Sequence, residues 1–587
     1  MKKNRTENFP QLFGNESRIK IVPLGGLREF GKNMTAFQWG NDIIVVDVGI
    51  GFPDEDMPGV DLIIPDFSWL ERQKNRVRAI FLTHGHEDHI GAITWFLRKF
   101  PIPVYGTAMT MKLVENKVND SGRDARDQGS AIENPKLNVV KDGDRIRAGA
   151  FNVEFVHVNH SIADACALLI ETPIGNIFHT GDYKIDYTPV HGDPIDLFRI
   201  AQIGHDGVLA MFAESSNIEM EGFSPSEQIV GETFSELFSK IDGRIFVSTF
   251  SSNIFRMQQI IAVAEQFNRK VALVGRSMIN AFKAADSLNY IDYNKNTIID
   301  INDINDINKY PPKELVIITT GTQGEPMSAL TRMAFSQHRQ VAINENDTVL
   351  MSSSMIPGNE KAIYRVIDEL NKRGAKVIYH DLAAIHVSGH SYSGEMALLI
   401  NLIKPKYFIP AHGEYRHLSR HAQLAEKIGI PKENIFILNN GDILEFNNQF
   451  AEVVGYTEAA GVLIDGSGIG DIDDLVLRDR LLLADDGVVA IFIVIDAAIN
   501  DLAAEPIIEA KGFIYESEIQ NVIMTCQNEI YDFVSKAQRK RNKKSSKAKT
   551  LKQRIDSGQL YQQMRQVLYQ QTKRRPMLII STIEVNQ

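Results

Sequence analysis

Residues 81–91 read FLTHGHEDHIG. An apolar run gives way to His84, His86, Asp88 and His89, a His-x-His-x-Asp-His pattern that brings three imidazoles and a carboxylate to one loop after a strand. Imidazole combined with carboxylate suits Zn²⁺ or Mn²⁺ rather than Ca²⁺, which prefers oxygen ligands throughout. Four ligands do not complete a two-metal site, so the motif predicts further His and Asp at strand ends elsewhere. His160 in VNHSIAD, Asp182 in HTGDYKID and His412 in PAHGEYR each follow an apolar, β-like run. Taken singly, each also reads as a core or turn residue; together with the first motif they read as ligands.

Around this motif lies a chain of 587 residues, long enough for two to four domains. With 44% hydrophobic and 23% charged residues, the composition is globular and excludes a disordered or collagen-like chain. Cys166 and Cys526 are the only cysteines, which excludes a disulfide framework or a Cys-rich zinc finger and suits a reducing cytosol. The polar stretch Met1 to Arg18 has no signal-peptide core, and no apolar run reaches spanning length, so a cytoplasmic chain with no membrane segment is expected. Net charge is −11, yet Lys536 to Arg554 carries ten Lys or Arg and no acid. A polyanion must therefore be met by local patches.

Short β-branched runs (Ile43–Val48, Ala79–Thr83, Leu137–Val140, Phe151–Val158, Asn176–His179) predict a strand-rich sandwich with helices outside. From Ser224 the rhythm becomes the βα alternation of a parallel sheet: helix 226–241, strand 245–249, helix 256–267, strand 271–275, then strands 315–320 and 348–353. Strands resume at 407–410 and 435–438. The expected organisation is a first domain over 1–223 and 385–464, an α/β domain inserted at 224–384, a linker at 465–486, and a small α/β domain over 487–587 that carries the basic segment 536–554.

These residues resemble the metallo-β-lactamase fold, an αββα sandwich, and the inserted domain resembles its β-CASP nucleic-acid-processing branch, most closely the ribonuclease J family of bacteria. The resemblance covers nearly the whole chain, through PLGGLREFGKN (23–33), TFSSNIFRMQQ (249–259), TTGTQGEPMSAL (319–330), SSSMIPGN (352–359), IHVSGH (385–390), HGEYR (412–416), IDGSGIGDI (464–472) and KRRPM (573–577). It implies that His84, His86 and His160 hold one divalent ion and Asp88, His89 and His412 another, with Asp182 bridging and Asp47 supporting a ligand imidazole. Two such ions, zinc first and Mn²⁺ or Mg²⁺ as alternatives, activate water and clamp a phosphodiester for in-line attack, so no Ser or Cys nucleophile is required. Asp88 would orient that water. His390 would serve the leaving 3′-oxygen, with Glu214 orienting it where many family members carry Asp.

The resemblance further implies a pocket for a 5′-terminal phosphate at Ser251, Ser252 and Asn253 and at His386, Val387, Ser388, Gly389 and His390. It implies a structural Ca²⁺ near Pro58, Val60 and Asp465, and a homodimer or homotetramer, with a paralogous subunit, an RNA-degradation assembly or the ribosome as further partners. The expected activity is a metal-dependent ribonuclease, 5′-to-3′ exonuclease and endonuclease, on single-stranded RNA with a 5′-monophosphate, in ribosomal RNA maturation and mRNA decay. Arg256, Arg276 and Arg332 are read as groove residues or, equally, as salt-bridged surface arginines. The basic segment reads as an RNA contact or as a solvated connector. The alternatives are a β-CASP nuclease acting on DNA, a weakly active RNA-binding partner subunit that would typically lack first-motif histidines, and a non-catalytic RNA-binding scaffold.

Overall fold

Strands Ile19–Gly25, Met34–Trp39, Asp42–Val46 and Val77–Phe81 are rich in Ile, Val and Phe and buried on both faces. In the computed structural model they form the middle of an eight-stranded sheet that runs Ala451–Tyr456, Asp442–Phe446, these four in order, Val104–Gly106 and Leu137–Val139. The structure describes residues 18–54, 56–121, 132–299, 309–325, 327–355, 359–466, 468–469, 474–541 and 550–585. A six-stranded sheet (Tyr407–Ala411, Ala210–Glu214, Gly175–His179, Cys166–Thr172, Phe151–His157, Arg145–Ala148) packs against the first. Phe37, Ile44 and Phe81 from one sheet meet Phe155, Leu168 and Phe212 from the other in a dry core. Helices Leu197–Asp206 and Ser393–Ile403 cover the second sheet through Ile200, Ile203, Leu399 and Ile403. Helix Ala108–Asp120 packs on the far strands of the first.

Strands Ala210–Glu214 and Tyr407–Ala411 are parallel neighbours, Glu214 opposite Ala411, so the chain leaves the sandwich and returns beside its point of departure. Between them lies a six-stranded, wholly parallel sheet in the order Ile298–Ile299, Lys270–Val274, Leu315–Thr319, Ile245–Ser248, Thr348–Met351, Lys376–Tyr379. Helices Ile254–Gln266 and Arg276–Ser287 pack on one face, Ala329–Ala334 and Glu360–Lys372 on the other. The chain winds both ways from strand Ile245–Ser248, so the sheet is doubly wound.

Sandwich and inserted sheet form one compact unit, residues 1–52 with 62–462. The second unit, 53–61 with 463–587, holds strand Val488–Asp496 parallel to Met577–Val585 and antiparallel to Ile507–Lys511. Cys526, Ile530, Leu560 and Met564 from helices Glu516–Arg541 and Gln559–Thr572 bury its Val489, Ile491 and Ile493. Of the basic segment, residues 542–549 lie outside the described residues, while Arg541 ends one helix and Thr550 caps the next. Among the described residues no helix is long and apolar enough to cross a membrane.

Two expectations need correction. Residues 465–486, read as a linker, include helix Asp474–Asp486. Residues 435–438, read as a strand, form only a bridge from Ile435 to Phe408, because their side chains pack into the cores on either side instead of joining a ladder. At the oxygens expected to meet calcium, Arg480 Nη1 donates to Pro58 O at 3.1 Å and Nη2 to the Asp465 carboxylate. Val60 contributes instead a turn, its N–H donating to Met57 O. Arg480→Ala is expected to cost about 1–2 kcal/mol, since two charge-assisted hydrogen bonds are lost at a one-third exposed site. Thermal unfolding of the full chain reads this loss, and added calcium is expected to leave the wild-type midpoint in place.

Candidate metal centre and phosphate crevice

Both sheets of the sandwich deliver their polar residues at the same edge. Asp47 and His84 follow the parallel neighbours Asp42–Val46 and Val77–Phe81. Asp182, Glu214 and His412 come at or just past the ends of Gly175–His179, Ala210–Glu214 and Tyr407–Ala411, three adjacent parallel strands. Asp47 and His412 take left-handed backbone (φ 58° and 51°), which costs about 1–3 kcal/mol for a residue with a Cβ and is borne by the surrounding packing.

The outward ring nitrogens of His84, His89, His160 and His412 are bound to protein groups. Asp47 Oδ2 accepts from His89 Nδ1 at 2.8 Å and from Thr83 Oγ1 at 2.8 Å, and Thr83 Oγ1 in turn accepts from His84 Nδ1 at 3.0 Å. His160 Nδ1 donates to Gly389 O at 2.6 Å, and His412 Nδ1 lies 2.7 Å from Ser216 Oγ. Fixing one ring nitrogen turns the other inward as a lone-pair donor. Gly389 is required here: a Cβ on it would stand 2.7 Å from Ser161 Cβ, and the carbonyl that holds His160 would be displaced.

Two ligand sets result. His84 Nε2 and His160 Nε2 each lie 3.1 Å from His86 Nδ1. Asp88, His89 and His412 form the second set, with Asp88 Oδ2 3.2 Å from His412 Nε2 and 3.5 Å from His89 Nε2. Asp182 Oδ2 stands between them, 3.3 Å from His89, 3.7 Å from His412, 3.8 Å from His84 and 3.9 Å from His160. Burial and then His89 push the pKa of His84 well down; burial and then His86 do the same for His160, and burial brings His86 to about 4. Three neutral imidazoles thus converge on one point, where each can offer a lone pair to a borderline divalent cation. Burial favours the neutral form of Asp182, but His412 and His89 outweigh it and hold the carboxyl ionised. The donor set fits a divalent pair.

His390 adjoins this centre, with Nδ1 3.1 Å from Glu214 Oε2 and 3.8 Å from Asp182 Oδ2. Burial opposes its charge, yet the Glu214 carboxylate prevails and lifts its pKa to about 9. Asp182, Glu214, His390 and His412 could themselves be read as a ligand group. Glu214, however, also accepts from Tyr183 N, Ser216 N and Ser391 Oγ, so both of its oxygens are already engaged by protein donors.

The expected phosphate residues gather where the doubly wound sheet reverses, at the carboxyl ends of Ile245–Ser248 and Thr348–Met351, the usual place for a ligand in such sheets. Ser251 and Ser252 are half-buried there. Asn253 caps helix Ile254–Gln266 by accepting from Arg256 N. His386 is half-buried, Val387 buried, and Ser388 Oγ accepts from Asn217 Nδ2 and from His390 N. A cleft of about 650 Å³ runs from His160, Ser388 and Gly389 to Asn253, Phe255 and Tyr290, between sandwich and inserted domain.

Of the three groove arginines, Arg276 is exposed and Arg332 half-buried, while Arg256 is fully buried and cannot line a groove. Its position in an apolar helix, on the face that Glu227 and Ser352 meet, is the reason. The sequence reading missed Asn33 and Thr83. Asn33 Nδ2 donates to Asp88 O (3.1 Å) and Asp88 Oδ2 (3.3 Å) and reaches His89 Nε2 (3.0 Å). The glycines before it were the available signal: a Cβ on Gly26 would meet Asn33 Oδ1 at 2.3 Å.

With this geometry in hand, comparison with known proteins finds four family models in chain order. They are the metallo-beta-lactamase superfamily (residues 27–217), the ribonuclease J beta-CASP domain (242–370), the Zn-dependent metallo-hydrolase RNA specificity domain (375–438) and the ribonuclease J C-terminal domain (475–585). Ribonuclease J2 of Bacillus subtilis is 38% identical over 585 residues, covering 100% of both chains. Ribonuclease J 1 of Streptococcus pyogenes is 39% identical over 565 residues (96% of this chain, 97% of that one), and ribonuclease J of Thermus thermophilus 38% over 514 (86% of each). A crystal structure of an Enterococcus faecalis protein of unknown function aligns with TM-score 0.52 at 19% identity, over 73% of this chain and 100% of that one; it supports the fold alone.

Proposed function

The chain belongs to the ribonuclease J family, metal-dependent ribonucleases of the metallo-β-lactamase superfamily, and on that footing we propose that it degrades single-stranded RNA from a 5′-monophosphate end and also cuts internally. The observation that carries this reading is the pair of ligand sets sharing Asp182 beside a crevice fit for a terminal phosphate. His84, His86 and His160 would hold one cation and Asp88, His89 and His412 the other, with Asp182 common to both. A bound pair supplies Lewis acidity at the phosphoryl oxygens and a nucleophile from water at neutral pH. Asn33 and Asp47 keep Asp88 and His89 aimed inward. His390, held by Glu214, is the proton donor to the leaving 3′-oxygen. Ser251 to Asn253 and His386 to His390 receive the 5′-phosphate, which sets the length removed at one nucleotide.

The imidazole-rich set favours zinc, with Mn²⁺ and Mg²⁺ accepted. First-motif histidines are intact, which speaks against a weakly active partner subunit. We place the enzyme in the cytoplasm, in ribosomal RNA maturation and mRNA decay, as a homodimer or pair of dimers that docks on a paralogous subunit, a degradation assembly or the ribosome. Incubation with Mn²⁺ and one oligonucleotide in 5′-monophosphate RNA, 5′-triphosphate RNA and DNA forms tests the substrate. Mononucleotide release from the monophosphate RNA alone is expected; equal degradation of the DNA would overturn the reading.

A further inference from the structure

Arg256 has the largest fully buried side chain among the described residues. Its Nε donates to Glu227 Oε1 at 2.5 Å, in the crossover that leads into the inserted domain. Its Nη1 donates to Ser352 Oγ at 2.6 Å, Ser352 O at 3.2 Å and Ile385 O at 3.3 Å, and stands 3.5 Å from His386 Nδ1. Its own N–H is held by Asn253 Oδ1. One guanidinium thus ties together the two strand-end loops of the crevice and the segment that returns to the sandwich. Its Nη2 has no hydrogen-bond partner among the described residues, and neither have the buried Ser248 Oγ and Thr249 Oγ1 at the same strand ends.

We propose that Arg256 is the positioning residue for recognition of the 5′ end: through Asn253, Ser352 and Ile385 it fixes the spacing of the loops that carry Ser251 to Asn253 and His386 to His390, so that a terminal monophosphate is received between those loops. This rests on the phosphate pocket proposed above. It does not require Arg256 to touch RNA, and its pairing with Glu227 means that geometry, rather than net charge, is what it contributes. Lysine cannot reproduce the arrangement, because an ammonium lacks the planar fork that reaches three segments at once.

The test compares 5′-monophosphate and 5′-hydroxyl forms of one oligoribonucleotide, with Mn²⁺, on wild type, Arg256→Lys, Arg256→Met and Ser352→Ala. The wild type should prefer the monophosphate. Arg256→Lys should lower that preference by about tenfold, mainly through KM, the scale of one or two charge-assisted hydrogen bonds. Ser352→Ala should lower it in the same direction by less, and decides the matter should Arg256→Met fail to fold by circular dichroism. A folded Arg256→Lys with wild-type preference, or with both substrates slowed equally, would overturn the role of Arg256 while leaving the pocket standing. A wild type indifferent to the 5′-phosphate would overturn the pocket, and this inference with it.

Discussion

Asp182→Asn is expected to abolish RNA cleavage and to lower the metal content of the folded protein from about two ions per chain to one or none. Asp182 Oδ2 is the carboxylate oxygen within 4 Å of histidines from both ligand sets, reaching His84 and His160 on one side and His89 and His412 on the other. Asparagine keeps the size and one carbonyl but removes the buried anion that five imidazoles surround. The expected fall in kcat is roughly 10⁴-fold or more, about 5 kcal/mol of barrier. Elemental analysis on the dialysed variant is the decisive measurement, since metal uptake is read independently of turnover. A variant with both its ions and its rate would mean that the two sets do not share this residue. Circular dichroism separates the loss of metal from a loss of fold.

The convergence of these residues was legible because each follows an apolar, β-like run, and strand ends of one sheet edge converge whatever the loops between them do. His84 and His412, 328 positions apart in the chain, needed no contact information to be grouped. The doubly wound sheet was legible for the same reason, since continuous Ile and Val runs such as LVIIT at 315–319 are stable only when covered on both faces. What the sequence hid depends on partners far away in the chain. Arg256 looks like an exposed helix residue until Glu227, Ser352 and Ile385 close over it. The pairing of Arg480 with Pro58 O and Asp465 spans 422 positions of the chain and leaves no local trace in it. Residues 435–438 look like a strand because burial, and not hydrogen bonding, is what apolar residues encode.

His390→Ala is expected to slow cleavage by roughly 10² to 10⁴-fold, the scale for a positioned proton donor, while both ions stay bound. The second half of that expectation discriminates. His390 lies in a group with Asp182, Glu214 and His412 that could hold a cation, and were it a ligand, removing it would reduce metal content as well as rate. Its Nδ1 is 3.1 Å from Glu214 Oε2, and Glu214 is itself held by Tyr183 N and Ser391 Oγ, so the pair reads as an oriented imidazole and its support. Glu214→Gln should then cost less, about 10 to 100-fold, because the imidazole remains but loses the carboxylate that orients it. The double variant should be no slower than His390→Ala alone, since Glu214 has no task once the ring is gone. Additive losses would show that Glu214 acts elsewhere, and a normal rate in His390→Ala would remove the imidazole from the chemistry.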